Sequence, residues 1–407
     1  MRPPTAPPRS LAVITIASAW ILFLDMGLRQ GLGLFLPPLA ADLGMTRETF
    51  GVGIGTANLL WGFGAPLAGI VADRYGPGRV AATGGLSYFA GLIAMSLAAS
   101  GTWIFLLGNV LVGIGIAAAG FSVVLAAAAK AAPPESRARV TAVVSLGASL
   151  GQFFLIPLTQ WSIAQLGWVG AFTVLALLAT TIIPVARAVA GIKAHASELR
   201  DQTLSEALAE AARWPSYWLL TIGFFVCGFQ LSFVSTHMPA YVVDNGLPAS
   251  IGAVVLATIG LTNIFGTYVF GRLGEIMPKK TLLGWLYFAR GVFVIALVVL
   301  PLTPTTAIVF AVGLGLTWLA TIPLTGGLVV TFFGPQYMAT LYGIVFMSHQ
   351  LGATTGAWVG GRVFDATGSY DAMWWVSAAL CFGGAAMHFV IRERPVGRTR
   401  EALRPST

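Results

Sequence analysis

The chain has 407 residues, 57% of them hydrophobic and 9% charged, with a formal net charge of +8. Soluble domains carry about 25% charged residues, so this composition, with a mean hydropathy of +0.82, excludes a soluble enzyme or a nucleic-acid-binding module. Most of the chain must face lipid or other helices, and the excess of cations has to be explained by position in the membrane.

Crossing a hydrocarbon core takes roughly 20 apolar residues. Stretches of that length occur at 11–36, 49–72, 79–100, 102–127, 138–162, 167–190, 215–237, 251–272, 281–301, 305–331, 337–362 and 372–391. The expected fold is therefore all-α and integral to the membrane, with twelve transmembrane helices in two six-helix bundles. The expected limits are 1–190 for the first bundle, 191–214 for a linker, 215–392 for the second bundle and 393–407 for a polar tail. The first span is too long for a signal-peptide core and lacks a cleavage site, so it is expected to be retained. Cys227 and Cys381 both fall inside spans, where a small apolar role is expected rather than a disulfide or a metal site.

In chain order, the first span holds Asp25, Arg29 and Gln30. Asp25 and Arg29 are four apart, on one helical face and able to pair. An ionisable residue inside the membrane is costly and marks a functional site by default. The loop after the second span reads Gly69-Ile-Val-Ala-Asp73-Arg74-Tyr-Gly76-Pro-Gly-Arg79. Gly69 would let helices approach, Asp73 would accept hydrogen bonds from a neighbouring helix terminus, and the arginines suit a membrane surface. Asn109 in the fourth span and Gln152 in the fifth are neutral candidates for orienting a ligand, though such side chains also serve as glue between helices. Gly147 and Gly151 form a small-residue face in the fifth span.

In the linker, Thr203 and Glu206 make a capping box for a short surface helix. The seventh span holds Gln230, and His237 stands beside Pro239 as a turn or gate residue. The eighth brings Asn263 and Thr267, followed by Gly271 and Glu275. Arg290, in the ninth, could hold substrate or brace a neighbouring helix through carbonyls and hydroxyls. Trp318 and Thr321 in the tenth and Tyr342 in the eleventh join the neutral candidates. His349 and Gln350 fall near mid-membrane in the eleventh span. The histidine could bind a carboxylate and link binding to protons, or stay neutral and hydrogen-bonded to a neighbour. Gly352, Gly356, Gly360 and Gly361 form a second small-residue face.

Two long-range patterns organise this list. Pro37, Asp42, Gly44, Gly64, Gly69 and Asp73 return as Pro239, Asp244, Gly246, Gly266, Gly271 and Glu275, each 202 positions later. A duplicated unit of apolar spans is how many transporters are built, with the substrate site between the halves near the midplane. With a cytoplasmic amino terminus, nineteen of the 23 Lys and Arg residues fall on the cytoplasmic side, only Arg47 and Arg362 fall opposite, and Arg29 and Arg290 lie inside spans. That asymmetry places both termini in the cytoplasm.

The Gly69–Arg79 loop, its weaker copy from Gly271 to Glu275, Lys279 and Lys280, and the twelve spans resemble the major facilitator superfamily along the whole chain. The resemblance implies that Gly69, Asp73, Arg74, Gly76, Arg79, Gly271 and Glu275 gate the transport cycle and do not bind substrate. A narrower resemblance, to monocarboxylate transporters and oxalate/formate antiporters, rests on Arg29-Gln-Gly-Leu-Gly-Leu-Phe-Leu-Pro37, His237-Met-Pro-Ala-Tyr-Val-Val-Asp244 and Phe364-Asp-Ala-Thr-Gly-Ser-Tyr370. Members of that branch usually carry a substrate-holding arginine in the eighth span, where this chain has Asn263 and Thr267.

Within the spans two arginines face one acid, Asp25, leaving one positive charge that an anionic substrate would offset. The expected function is secondary transport of a small organic anion, a monocarboxylate above all, with proton symport or anion exchange. Expected substrate residues are Arg29, Asp25, Gln30, Asn109, Gln152, Asn263, Trp318, Tyr342, His349, Gln350 and Arg290. His349 and Asp25 are the proton-coupling candidates. No cofactor, metal ion, nucleic-acid partner or catalytic role is expected, and the chain is expected to act as a monomer in a bacterial inner membrane. Efflux of drugs or other hydrophobic compounds is the alternative, and a non-transporting receptor stands behind it.

Overall fold

A computed structural model describes residues 10–190, 203–334 and 336–396. Part of the expected linker and tail, with Arg2, Arg9, Lys193, Arg200, Arg398, Arg400 and Arg404, lies outside the described residues. Those described are helical and contain no strand. Nine stretches among them are long and apolar enough to cross a membrane. One of these, Glu135–Val189, is 55 residues long, or about 80 Å as one helix at 1.5 Å per residue. It holds two passes, turned at Gly167 by a φ of 67° that suits glycine. Pro77–Ser96 and Met338–Thr367 complete the twelve. The latter is less apolar because it carries His349, Gln350, Arg362 and Asp365.

Local chemistry sets many of the ends. Thr46 caps the second span by accepting from the Thr49 amide at 3.1 Å, and proline stands at the first turn of helices beginning at Pro77, Pro134, Pro215 and Pro304. Gly76 separates the second and third spans at φ 93°, ψ 138°. Alanine there should cost about 1 kcal/mol of stability, read as a lower melting temperature with transport retained. The capping box of Thr203 and Glu206 opens the linker helix Leu204–Ala212 as expected.

Four spans depart from the expected single helix, among them the sixth, which ends in the short pieces Ile182–Val185 and Ala186–Val189. The first runs Leu11–Gln30, tightens through Leu32–Phe35 and continues as Leu36–Leu43, past its expected end at 36. The fourth is split into Thr102–Ala119 and Val124–Ala131, and the tenth into Pro304–Thr317 and Thr321–Phe333. These breaks expose backbone groups that neighbouring side chains can satisfy.

Packing follows the duplication. The first span lies on the fifth as the seventh lies on the eleventh, and the second on the fourth as the eighth on the tenth. Each expected glycine face makes a close helix contact. Gly147 and Gly151 sit against the backbone of Ala19 and Phe23, and Gly352 and Gly356 against Phe225 and Phe229. Gly69 departs from expectation: a Cβ there would lie 4.0 Å from its nearest neighbour, the Ser122 carbonyl, and one at Gly271 would meet nothing within 4 Å. Neither glycine is required by packing in this conformation.

The halves meet along the second and eleventh spans, the fifth and eighth, and the first and seventh. Close approaches run from mid-helix to the end away from the termini: Gly62 on Gln350, Gly51 on Ala357, Gly361 on Arg47, Gly260 on Gln152 and Gly33 on Ser235. At the termini end, the ion pairs Lys130–Asp73, Arg272–Glu275 and Lys279–Glu393 each stay within one half. The molecule is thus clasped at its far end. Gly51→Val and Gly361→Val should push the halves apart there and leave each half folded. Spin labels on the exposed positions Gln165 and Asn245 should then report longer distances, and an unchanged distribution would contradict this packing.

Candidate functional site

Arg29 lies one turn before the tightening of the first span, and its side chain leaves the helix toward the second span. Its Nη2 donates to Asn58 Oδ1 at 2.7 Å and its Nη1 to Gln30 Oε1 at 3.3 Å. The guanidinium carbon stands 4.8 Å from the Trp61 ring centroid, a cation–π contact that holds the group in place. Asn58 passes the connection across the interface, donating to Ser232 Oγ of the seventh span at 3.1 Å. A small cavity opens beside the group, lined by Arg29, Gln30, Asn58, Ser235 and Thr236 and walled by apolar residues including Ile54 and Ile116. Both halves contribute to it.

The expected pairing of Asp25 with Arg29 is not made. Asp25 is fully buried and neither carboxyl oxygen has a hydrogen-bond partner. The helical spacing puts the two on one face, but Arg29 reaches Gln30 and Asn58 instead. Asp25 faces the break in the fourth span, where a Cβ on Gly120 would lie 3.3 Å from Oδ2. Tyr88 Oη donates to the Asp25 carbonyl at 3.1 Å. The cavity is thus bordered by a cation held by neutral groups, and one turn away along the same helix lies a buried carboxyl group without hydrogen-bond partners.

Arg290 is enclosed elsewhere, fully buried. It donates to Thr317 Oγ1 at 3.3 Å, to Cys227 Sγ at 3.2 Å, to the Trp318 carbonyl at 2.7 Å and to the Thr317 carbonyl. Asn263 works on the same break in the tenth span: its Oδ1 accepts from the Leu319 amide at 2.9 Å and from Thr267 Oγ1 at 3.1 Å, while its Nδ2 donates to Ser149 Oγ at 3.1 Å. Both side chains are occupied with backbone and neighbouring helices, the bracing geometry weighed for Arg290 from sequence. Thr321 Oγ1 lies 3.5 Å from Cys227 Sγ.

His349 is buried between Phe224 and Phe346, with ring centroids at 4.8 and 5.8 Å, and its Nδ1 has no partner. The Gln350 amide is also unpartnered and lies on Gly62 at the interface between halves. Gln152 packs against Gly260 at the other interface. Asn109 Nδ2 donates to the Phe105 carbonyl of its own helix at 3.0 Å, leaving Oδ1 free. The Trp318 indole N–H and the Gln230 amide lack partners as well, and Tyr342 packs near Phe224, centroids 6.3 Å apart. Of the expected substrate residues, Arg29 and Gln30 line the cavity together; the others named here are distributed around the interfaces or behind them.

Sequence reasoning missed Asn58, Trp61, Ser235 and Thr236. Asn58 and Trp61 are three apart on the second span, so one helical face presents both, but only the tertiary structure shows that this face meets Arg29. Also missed was the clasp at the far end. Arg47 pairs with Asp244, with Nη2 2.7 Å from Oδ1, donates to Tyr370 Oη at 3.0 Å and lies 3.5 Å from the Phe364 ring centroid. Asp365 accepts from the backbone amides of Arg47 and Glu48 at 3.1 and 2.7 Å, an anion at a helix N-terminus contributed by the opposite half. Glu48 returns the link to Trp358 and Arg362, at 2.9 and 3.4 Å. Burial pushes the Tyr370 phenol above its ordinary pKa range.

Comparison with known proteins agrees with this architecture. Rat monocarboxylate transporter 13 is 26% identical over 341 residues, covering 80% of this chain and 76% of its own. The uncharacterized MFS-type transporter YcxA of Bacillus subtilis is 22% identical over 364 residues, covering 84% and 85%. The inward-open xylose transporter XylE of E. coli superposes with a TM-score of 0.76 over 97% of this chain and 99% of that one at 13% identity, a likeness of fold alone. The description Major Facilitator Superfamily matches residues 18–357, and the chain belongs to that family of transporters.

Proposed function

We propose that this transporter carries a small organic anion, a monocarboxylate, with Arg29 as the group that holds the carboxylate. The observation that carries the reading is that the guanidinium, beside a cavity shared by both halves, has only neutral partners in Asn58, Gln30 and Trp61. A guanidinium presents five donors in a planar fork suited to a carboxylate. Gln30, Asn58, Ser235 and Thr236 supply further polar groups on the wall.

Coupling is assigned to Asp25, whose carboxyl oxygens are buried and unpartnered, with His349 as the second group that can change charge. A proton on Asp25 and an anion on Arg29 would cross together as a neutral load, which lowers the electrostatic cost of moving the site through the bilayer. The cation distribution supports cytoplasmic termini, and with the protein in a bacterial inner membrane the far-end clasp would face outward and the described conformation would be closed to the outside. The expected chain of events is rocking of two six-helix bundles about the Arg29 cavity, with the chain acting as a monomer and no cofactor taking part. Equilibrium binding to the purified protein tests the reading: small labelled carboxylates should bind saturably, and the matching neutral amides should fail to compete. Equal competition by the amides, or binding only of lipophilic cations, would replace it with the efflux alternative.

A further inference from the structure

The far-end clasp has a histidine beneath it that the anion site does not use. His237 is fully buried. Its Nε2 stands 2.7 Å from the Ala357 carbonyl and its Nδ1 3.0 Å from Tyr370 Oη. A carbonyl only accepts, so Nε2 carries the hydrogen and, in the neutral ring, Nδ1 is an acceptor. Tyr370 must then donate to Nδ1 while its oxygen accepts from Arg47 Nη1 at 3.0 Å. The result is a directed relay across the halves: Arg47 of the second span, Tyr370 before the twelfth, His237 of the seventh, and the Ala357 carbonyl of the eleventh.

A second proton has no place in this arrangement. It would put an N–H on Nδ1 facing the hydroxyl, so that Tyr370 Oη would accept from two cations and donate to neither. The charged groups around the ring do not relieve this. Arg47 repels a second positive charge; Asp244 is committed to Arg47 and Asp365 to the amides of Arg47 and Glu48. Phe233, 5.6 Å away between centroids, and the Gly360 backbone close the remaining sides without offering an acceptor. Once the halves part, Arg47 withdraws and water reaches the ring, where an ordinary imidazole binds a proton at about pH 6.5.

We propose that His237 is a proton-binding site that releases the far-end clasp: protonation breaks the Arg47–Tyr370–His237 relay and lets the halves separate at that end. The far-open state binds this proton more tightly than the closed state, so by linkage acid favours opening and alkali favours closure. The inference does not rest on the anion reading, because a clasp released by protons would act on any substrate held between the halves.

The test needs no substrate. Spin labels at Gln165→Cys and Asn245→Cys, on exposed far-end positions of opposite halves, are followed by pulsed electron resonance on the full chain in lipid nanodiscs; Cys227 and Cys381 are buried and stay unlabelled. Between pH 8 and pH 5 the ratio of far-open to far-closed molecules should rise at least about fivefold, within the roughly tenfold per pH unit that one proton allows. His237→Gln, whose amide can donate to Ala357 and accept from Tyr370, should hold the closed distance at neutral pH and change less than about twofold over the same range. Tyr370→Phe removes the donor to Nδ1 and should move the midpoint to higher pH, which gives an answer even if the glutamine variant does not fold. A parent without a pH response, or a response that neither substitution alters, overturns the proposal.

Discussion

Arg29→Gln is expected to lower carboxylate transport by about 100-fold or more, with the protein folded and inserted normally. Removing a charged partner from a buried hydrogen-bonded pair costs roughly 3 kcal/mol, which is about two orders of magnitude in affinity. The variant should fold because Arg29 is only half-buried and the amide oxygens of Gln30 and Asn58, which accept from it, can accept from a glutamine side chain instead. Lysine should restore part of the activity, since an ammonium keeps the charge but loses the forked geometry and the stacking on Trp61. Uptake of the carboxylate should therefore rank wild type, Arg29→Lys, Arg29→Gln. Equal uptake by all three would remove Arg29 from the site.

Arg290→Gln should instead unfold the second half. Its guanidinium spans the Thr317 and Trp318 carbonyls and also reaches Thr317 Oγ1 and Cys227 Sγ. Each buried carbonyl left without a donor costs about 1–3 kcal/mol, so losing two of them should cost about 2–6 kcal/mol against the roughly 5–15 kcal/mol of net stability that proteins keep. The measurement is a thermal melt of the detergent-purified protein by size exclusion. A melt close to wild type, accompanied by loss of uptake, would show that Arg290 acts on the substrate and that bracing is not its role.

The contrast between the two arginines shows what the sequence carries and what it does not. Both read as unpaired cations inside spans, and charge bookkeeping treats them alike. Only tertiary structure separates them, because the groups that enclose Arg290 lie in the tenth span and in the seventh, 27 to 63 positions away in sequence. The break at Trp318 was illegible for the same reason. Residues 305–331 read as continuous apolar helix, and the interruption is stabilised by Arg290 on its carbonyls and Asn263 on the Leu319 amide.

The repeat 202 positions apart was legible because it is a statement about order along the chain, and the pairing of helices within each half follows it. Helical spacing placed Asp25 and Arg29 on one face correctly but could not say which neighbour the guanidinium would choose. The far-end clasp was the least legible part. Arg47, Asp244 and Tyr370 lie 197 and 323 positions apart, on loop edges where each alone reads as ordinary surface charge or turn chemistry. Asp244 and Tyr370 sat within the segments that carry the narrower family resemblance, yet nothing in their spacing pointed to Arg47.

Uptake of a labelled monocarboxylate into proteoliposomes, with and without an inward proton gradient, decides most directly whether Arg29 and Asp25 form a site for an anion and its proton. Gradient-stimulated, saturable uptake in the wild type, lost in Arg29→Gln and uncoupled from the gradient in Asp25→Asn, is the predicted result. Absence of carboxylate uptake by a well-folded wild type, or uptake that survives Arg29→Gln, would contradict the account and return the cavity to neutral or cationic compounds.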